Sequence, residues 1–407
     1  MGKTTVLILR MKQKKGKIMA LRVSTRSELP SFMVMDVLEK AERMKVTPQP
    51  LLRLEMGQPS SPPPKAALDA MMRHMHDTSA HGYTLSRGTI ELTEAIARHY
   101  GRWYGVDVKP EQVLVTVGSS LGFMMVFLTC FEAGDKIAMT APGYSAYRNL
   151  MISASLEPML VDCGAEQNWR LTVETLEALD TVPDGLIIAS PSNPTGVVMT
   201  GDELAEICRW CEKNGVRLIS DEIYHGIGFS GSDHSALQYS SSAMVMNSFS
   251  KYFAMTGHRL GWIIAPDKLV DPLDRLAQNC FISANTLSQI AGAAAMDNPD
   301  SYREMDSHVA RYRVNRDLLL DRLPEKFLGR FPYPEGGFYI YADISQVSND
   351  SVALTDEFLN NLYIATTPGV DFDEKRGHQA MRLSFAGSTE DMAEAATRIT
   401  NWVNKNT

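Results

Sequence analysis

Cysteine is scarce in this sequence: five in 407 residues, an odd number scattered along the chain. That excludes a disulfide framework as the organising device and points to a reducing, cytoplasmic setting. No apolar run approaches the ~20 residues that a membrane-spanning helix needs. A basic excess is missing as well, since the net charge is −8, and nucleic-acid phosphates require a basic face. Metal-ligand spacing is also absent. Cys208 and Cys211 form a C-x-x-C inside a helix-like run, Glu203 to Lys213, with no second pair and no nearby histidine. His74, His76 and His81 lack a carboxylate or cysteine at convincing spacing and read as solvated or capping side chains. Neither a nucleic acid, a membrane nor a metal is expected as a partner.

What remains is a globular chain long enough for about two domains. Residues 1–18 hold Lys3, Arg10, Lys12, Lys14, Lys15 and Lys17 without an acid and read as a disordered basic extension. Residues 31–44 carry Met35, Leu38 and Met44 between charged residues, the pattern of an amphipathic helix. After residue 110, six short apolar runs suit strands buried on both faces: 113–117, 136–140, 186–189, 216–219, 244–246 and 262–265. Helical patterns separate several of them, which predicts a mainly parallel, doubly wound α/β domain with ligands at the carboxyl ends of its strands. Further on, 306–323 reads as a long helix, and 336–341 and 381–385 as strands.

The residues that carry chemistry follow those runs. Lys251 and Arg259 stand among small, hydroxylated and aromatic residues in Asn247 to Trp262. A lysine kept neutral by burial near a cation can form an imine with a carbonyl, and an arginine fork suits phosphate. An aldehyde binder beside a phosphate binder suggests pyridoxal phosphate, although Ser-x-x-Lys alone is equally an ordinary loop. Gly118-Ser119-Ser120 opens an apolar helix and offers amides and hydroxyls to an anion. Tyr144 could stack on a flat ring or simply pack. Asn193, between Pro191 and Pro194, presents donors to an anionic oxygen. A buried Asp221 requires a cation, and a protonated pyridine nitrogen is one. Tyr224 could donate to a neighbouring ring oxygen, and Gly57 lets a ligand approach the backbone or merely ends a strand.

Ser-Asn-Pro-Thr-Gly at 192–196, Asp-Glu-x-Tyr at 221–224, Ser-Phe-Ser-Lys at 248–251, Gly-x-Arg-Leu-Gly-Trp at 257–262 and Met-Arg-Leu-Ser-Phe at 381–385 occur in this order. The set resembles the class I and II aminotransferases, fold-type I pyridoxal phosphate enzymes, from about residue 26 onward. The resemblance implies a seven-stranded, mainly parallel sheet in a large domain, 59–298, and a smaller α+β domain built from 19–58 and 299–407. It implies that Lys251 binds the cofactor aldehyde and later shuttles a proton, that Asp221 holds the ring nitrogen protonated, and that Tyr224 and Asn193 bond the ring oxygen. Tyr144 would stack on the ring, and Ser119, Ser120, Ser248 and Arg259 would form the phosphate cup. Arg382 and Gly57 would meet the substrate α-carboxylate together with Asn193. Tyr83 would reach the phosphate of a partner subunit, which implies a homodimer.

Substrate is less marked. Dicarboxylate-specific relatives carry a second cation, either a lysine where this chain has Ser120 or a partner-subunit arginine in the segment that here reads 281–286, and neither is present. A neutral or aromatic L-amino acid donor with 2-oxoglutarate or pyruvate as acceptor is therefore expected. The same residues also serve pyridoxal phosphate lyases that eliminate a β or γ substituent. A cofactor-sensing regulator would need an N-terminal helix-turn-helix module, for which residues 1–30 are too short.

Overall fold

The computed structural model describes residues 21–44, 46–229, 231 and 233–406; the basic extension lies outside them. Seven strands form the main sheet: β1 (Val113–Thr116), β2 (Lys136–Ala141), β3 (Glu157–Asp162), β4 (Gly185–Ala189), β5 (Arg217–Asp221), β6 (Met244–Ser248) and β7 (Gly261–Ile264). Their spatial order is β1-β7-β6-β5-β4-β2-β3, and β7 alone runs antiparallel to its neighbours. Alternation along each strand divides the core into two. Leu186, Ile188, Val113, Val115 and Val245 pack into one cluster, while Ile187, Leu114, Met244 and Met246 pack into the other. Each such side chain contributes about 1.5–3 kcal/mol on burial. Six of these strands coincide with the apolar runs. The seventh, β3, escaped the pattern because it is an edge strand with Glu157 and Leu160 exposed, so it never reads as a continuous apolar run.

Helices cover both faces. α1 (Met33–Arg43) belongs to the N-terminal segment. α2 (Gly118–Cys130) follows β1, α3 (Ser145–Ser153) follows β2, and α4 (Gly201–Asn214) links β4 to β5. α4 begins at a Thr200/Glu203 capping box and ends at Gly215 in the left-handed region, φ +70°. Cys208 and Cys211 are both buried in α4, which pushes each thiol up to about 12.

A smaller antiparallel sheet, ordered β9-β10-β8, contains β8 (Tyr339–Asp343), β9 (Thr367–Pro368) and β10 (Ala380–Ser384). Beside it runs α5 (Pro299–Arg322), which starts seven residues before the predicted 306 because Asn298 caps it and Pro299 fills its first position. α1 lies where predicted but buries another face. Val34, Val37 and Ala41 are inside and Met35 is 48% exposed. The 34-37-41 stripe fits one helix face, packing on Tyr341 and Phe372 at one end and on Leu359 and Ala365 at the other.

Candidate active site

A cavity of about 620 Å³ opens at the carboxyl ends of the main-sheet strands, between them, the small sheet and the segment from Phe32 to Gln58. Gly57, Ser119, Ser120, Tyr144, Asn193, Asp221, Tyr224, Lys251, Arg259 and Arg382 all line it. Lys251 and Arg259 hang on the same connection between antiparallel β6 and β7. That excursion is pinned at its base by Phe249 N donating to Leu260 O at 3.0 Å.

The anionic-ligand end is built by a glycine. Gly118 has φ +72°, and a Cβ there would lie 2.5 Å from Arg259 Nη2, so the guanidinium rests directly on backbone. Arg259 is itself left-handed at φ +49°, and its Nη1 donates to Thr256 O at 3.0 Å. Ser119 and Ser120 occupy the first turn of the 13-residue α2, whose free amides face the same space. Ser250 lines this end too, whereas Ser248 does not: it is fully buried, and its hydroxyl donates to Leu260 O at 3.1 Å and meets Ser250 Oγ at 2.8 Å.

Asp221 closes β5 and forms the floor. It is buried, and burial pushes its carboxyl up to about 6, opposed by a hydrogen bond from Tyr147 Oη to Oδ2 and one of 3.1 Å from Ile223 N to Oδ1. Among the described residues its hydrogen-bond donors are neutral, and both line the cavity. Tyr147 escaped sequence reading; its signal is the spacing Tyr144-x-x-Tyr147, one turn along α3. The two tyrosines meet edge to face, with centroids 5.2 Å apart.

Opposite stands Arg382, from β10. Its guanidinium lies 4.4 Å from the Tyr339 ring centroid and 4.8 Å from that of Phe372. Nη1 donates to Asn193 Oδ1 at 3.1 Å, and Nη2 donates to Glu55 O and, at 3.2 Å, to Thr367 Oγ1, while the buried Nε has no hydrogen-bond partner among the described residues. Between the two poles, Lys251 Nζ donates to Gly57 O at 2.6 Å and sits 5.8 Å from the Tyr224 ring. Burial, then the Arg382 and Arg259 charges, lower its amine to about 8, against the pull of Asp221. Tyr224 Oη lies 2.7 Å from Tyr339 Oη. Tyr339 also went unread; its trace is the aromatic alternation Phe338-Tyr339-Ile340-Tyr341 on a strand paired with β10. Tyr83 is not in this cavity and is 82% exposed.

The arrangement places a neutralisable amine between a carboxyl floor, an anion cradle and a stacked arginine. Known proteins are similar to this chain over most of its length. The sequence profile of the family "Aminotransferase class I and II" matches residues 49–399. A valine–pyruvate aminotransferase from Mycobacterium tuberculosis is 43% identical over 94% of this chain and 98% of its own length. A (5-formylfuran-3-yl)methyl phosphate transaminase from Methanocaldococcus jannaschii is 33% identical over 92% and 97%. The crystal structure of an aminotransferase from Mycobacterium tuberculosis superposes with a TM-score of 0.91 at 41% identity, covering 95% of this chain and 100% of that one. That of Thermus thermophilus aspartate aminotransferase with maleate gives 0.87 at 28% identity, covering 94% and 100%. The chain belongs to the class I and II aminotransferases of fold-type I and is a pyridoxal phosphate-dependent transaminase.

Proposed function

We propose that this transaminase moves the amino group of a neutral aliphatic L-amino acid of about valine size to pyruvate, with Lys251 as the catalytic lysine. The single observation that carries the residue roles is the Lys251 amine, lowered to about 8 and held in one cavity with Asp221, Arg259 and Arg382. The donor class is supported by the lining. Among the described residues the cavity has three cations, Lys251, Arg259 and Arg382. The amine, the phosphate and the α-carboxylate use all three, leaving none for a distal carboxylate. Phe32, Val34, Met35 and Met56 line the side away from the cradle. The relative named as a valine–pyruvate aminotransferase supports the same pairing.

The residues fit the cofactor. Arg259, Ser119, Ser120 and Ser250 would hold the phosphate, with Ser248 bracing Ser250. Tyr144 would cover the ring. Tyr224 and Asn193 would donate to the ring oxygen. Asp221, protonatable near 6 beside neutral donors, would stay ionised once a ring N–H⁺ faced it. Bound pyridoxal phosphate supplies an aldehyde that holds the amino group and a ring that accepts the electrons left at the substrate Cα. Arg382 clamps the α-carboxylate, with the Asn193 amide beside it, and so orients the Cα–H bond. Lys251 Nζ, in its neutral form, would take the proton from the substrate Cα and give it up at the carbon that carried the cofactor's aldehyde, so that the amino group stays behind with the cofactor.

Residues 19–58 and 299–407 form, on this reading, a small domain that closes on 59–298 and excludes water. Its support is the loop around Phe372, whose carbonyl accepts from Gly143 N at 3.1 Å, while Arg376 Nη2 donates to Ala141 O at 2.9 Å. The exposure of Tyr83, with Leu85 at 63%, Ile90 at 60% and Met72 at 64%, supports a homodimer in which Tyr83 of the partner subunit completes the phosphate site. The reducing compartment expected from cysteine usage is the cytoplasm.

The test is a pair of half-reactions followed by cofactor absorption. L-Valine is expected to convert the aldehyde-form spectrum to the amine form, and pyruvate to restore it. Faster conversion by aspartate would overturn the donor assignment. Bleaching accompanied by ammonia release without an oxo-acid acceptor would mark elimination instead. Mixing inactive Tyr83→Phe and Lys251→Ala chains should regenerate partial activity; absence of rescue would remove the shared site.

A further inference from the structure

We propose that Tyr339 is a positioning residue: its hydroxyl donates to Tyr224 Oη and frees the Tyr224 proton for the cofactor, while its ring seats Arg382. The inference rests on the reading of Tyr224 given above.

Three observations meet on this side chain. Its hydroxyl is 2.7 Å from Tyr224 Oη, with the two rings edge to face at 5.8 Å. Its ring lies 4.4 Å beneath the Arg382 guanidinium, a cation–π contact from which water is excluded because Tyr339 is 1% and Arg382 2% exposed. Its Oη stands 2.0 Å from the place a Cβ on residue 57 would take, so only glycine leaves it room there. Gly57 in turn is the residue whose carbonyl accepts from Lys251 Nζ. A phenol has one proton. If Tyr224 donated to Tyr339, that proton would be unavailable to a ring oxygen in the cavity. The opposite direction leaves it free and polarises it. β8 supplies the placement: Tyr339 pairs with Ser384 while Tyr341 pairs with Arg382, two residues along β10.

The charged and titratable groups facing the pair are Arg382 from β10, Tyr144 before α3 and Lys251 from the β6–β7 connection, and Lys251 is in turn faced by Arg259 and by Asp221 from β5. Donation to an anionic ring oxygen stabilises the deprotonated chromophore, so its loss must raise the pH midpoint of the cofactor absorption band.

The experiment uses holoenzyme variants and reads that midpoint, alongside binding of the unreactive carboxylate 3-methylbutanoate by spectral titration. Tyr339→Phe is expected to raise the midpoint by about half a pH unit, less than Tyr224→Phe does, with carboxylate affinity changed less than twofold because the ring remains. Tyr339→Leu should weaken 3-methylbutanoate about tenfold through the lost stacking. Gly57→Ala approaches the same hydroxyl from the other side. It should raise the midpoint in the parent and add nothing in the Tyr339→Phe background, the non-additivity of a shared contact. A Tyr339→Phe midpoint equal to the parent's, with Tyr224→Phe still shifted, overturns this proposal and leaves the role of Tyr224 standing. Equal midpoints in all three overturn both. Equal carboxylate affinity in Tyr339→Leu overturns the seating of Arg382.

Discussion

The two walls of the cavity are built differently. One is made of main-sheet strand ends and their connections: Asp221 at the end of β5, Lys251 and Arg259 between β6 and β7, Ser119 and Ser120 after β1. It rests on the two large cores, and its polar groups are fixed by short bonds. The other wall runs from Phe32 to Met56. Its cavity-facing residues are apolar, and its helix α1 is backed by two small clusters and tied by a 3.4 Å bond from Met33 N to Asp371 Oδ1 and by the solvent-facing ion pairs Lys40–Asp356 and Glu42–Arg53. Few buried contacts mean a lower local opening free energy. On the function proposed above, the stiff wall carries the reaction chemistry and the pliant one reads the side chain, a division that would let the same chemistry serve different donors.

The comparison breaks hardest at Lys251. Lys251→Ala should leave the fold and cofactor binding largely intact while turnover falls on the order of 10⁴-fold, since the general base is gone. Single-turnover spectra with L-valine check it, and an unchanged rate would move the base elsewhere. Arg382→Lys comes next. The charge survives but the fork, stacked between Tyr339 and Phe372, does not. Replacing a buried, hydrogen-bonded charge of this kind costs about 2–5 kcal/mol. The KM for the amino acid should rise on the order of 10²-fold, with a smaller change in kcat.

The stiff wall was also the legible one. Lys251 and Arg259 lie eight positions apart, and Asp221 and Tyr224 three apart, so local motifs reveal them. Tyr339 and Tyr224 are 115 positions apart and Tyr147 and Asp221 74 apart. Such contacts exist only once strands have paired, and no local spacing encodes them. The pliant wall was legible only in part for a related reason: of the apolar residues Met35, Leu38 and Met44 that mark α1 as amphipathic, Met44 packs inward but Met35 is exposed, because the partners at 341, 359 and 372 select Val34, Val37 and Ala41. β3 escaped because an edge strand shows water one face.

A third measurement isolates the stiff wall's electrostatics. With the Lys251 amine lowered to about 8, its neutral fraction is about a tenth at pH 7 and nine-tenths at pH 9. The folded state favours the neutral amine, so reactivity grows as pH rises through 8. Capture of pyridoxal phosphate by the apoprotein should accelerate about tenfold between those pH values and then flatten. A rate still climbing toward the ordinary lysine range would show that Arg382, Arg259 and burial do not act on this amine.

The smallest effect belongs to the pliant wall and decides whether it carries recognition at all. Met35 lines the cavity yet is 48% exposed, so a cation placed there would meet a distal carboxylate in a largely aqueous setting. Exposed ion pairs are worth about 0–1 kcal/mol, a factor of up to about five. Met35→Arg should therefore raise the aspartate-to-valine ratio of kcat/KM by two- to fivefold, with the cofactor spectrum and its pH midpoint unchanged. Added salt should shrink the gain, because an exposed pair is screened. If the ratio does not move while the protein remains folded and loaded, α1 is cover rather than a reader of side chains, and selection against a second carboxylate must come from the strand-end wall or, in the proposed homodimer, from the second subunit.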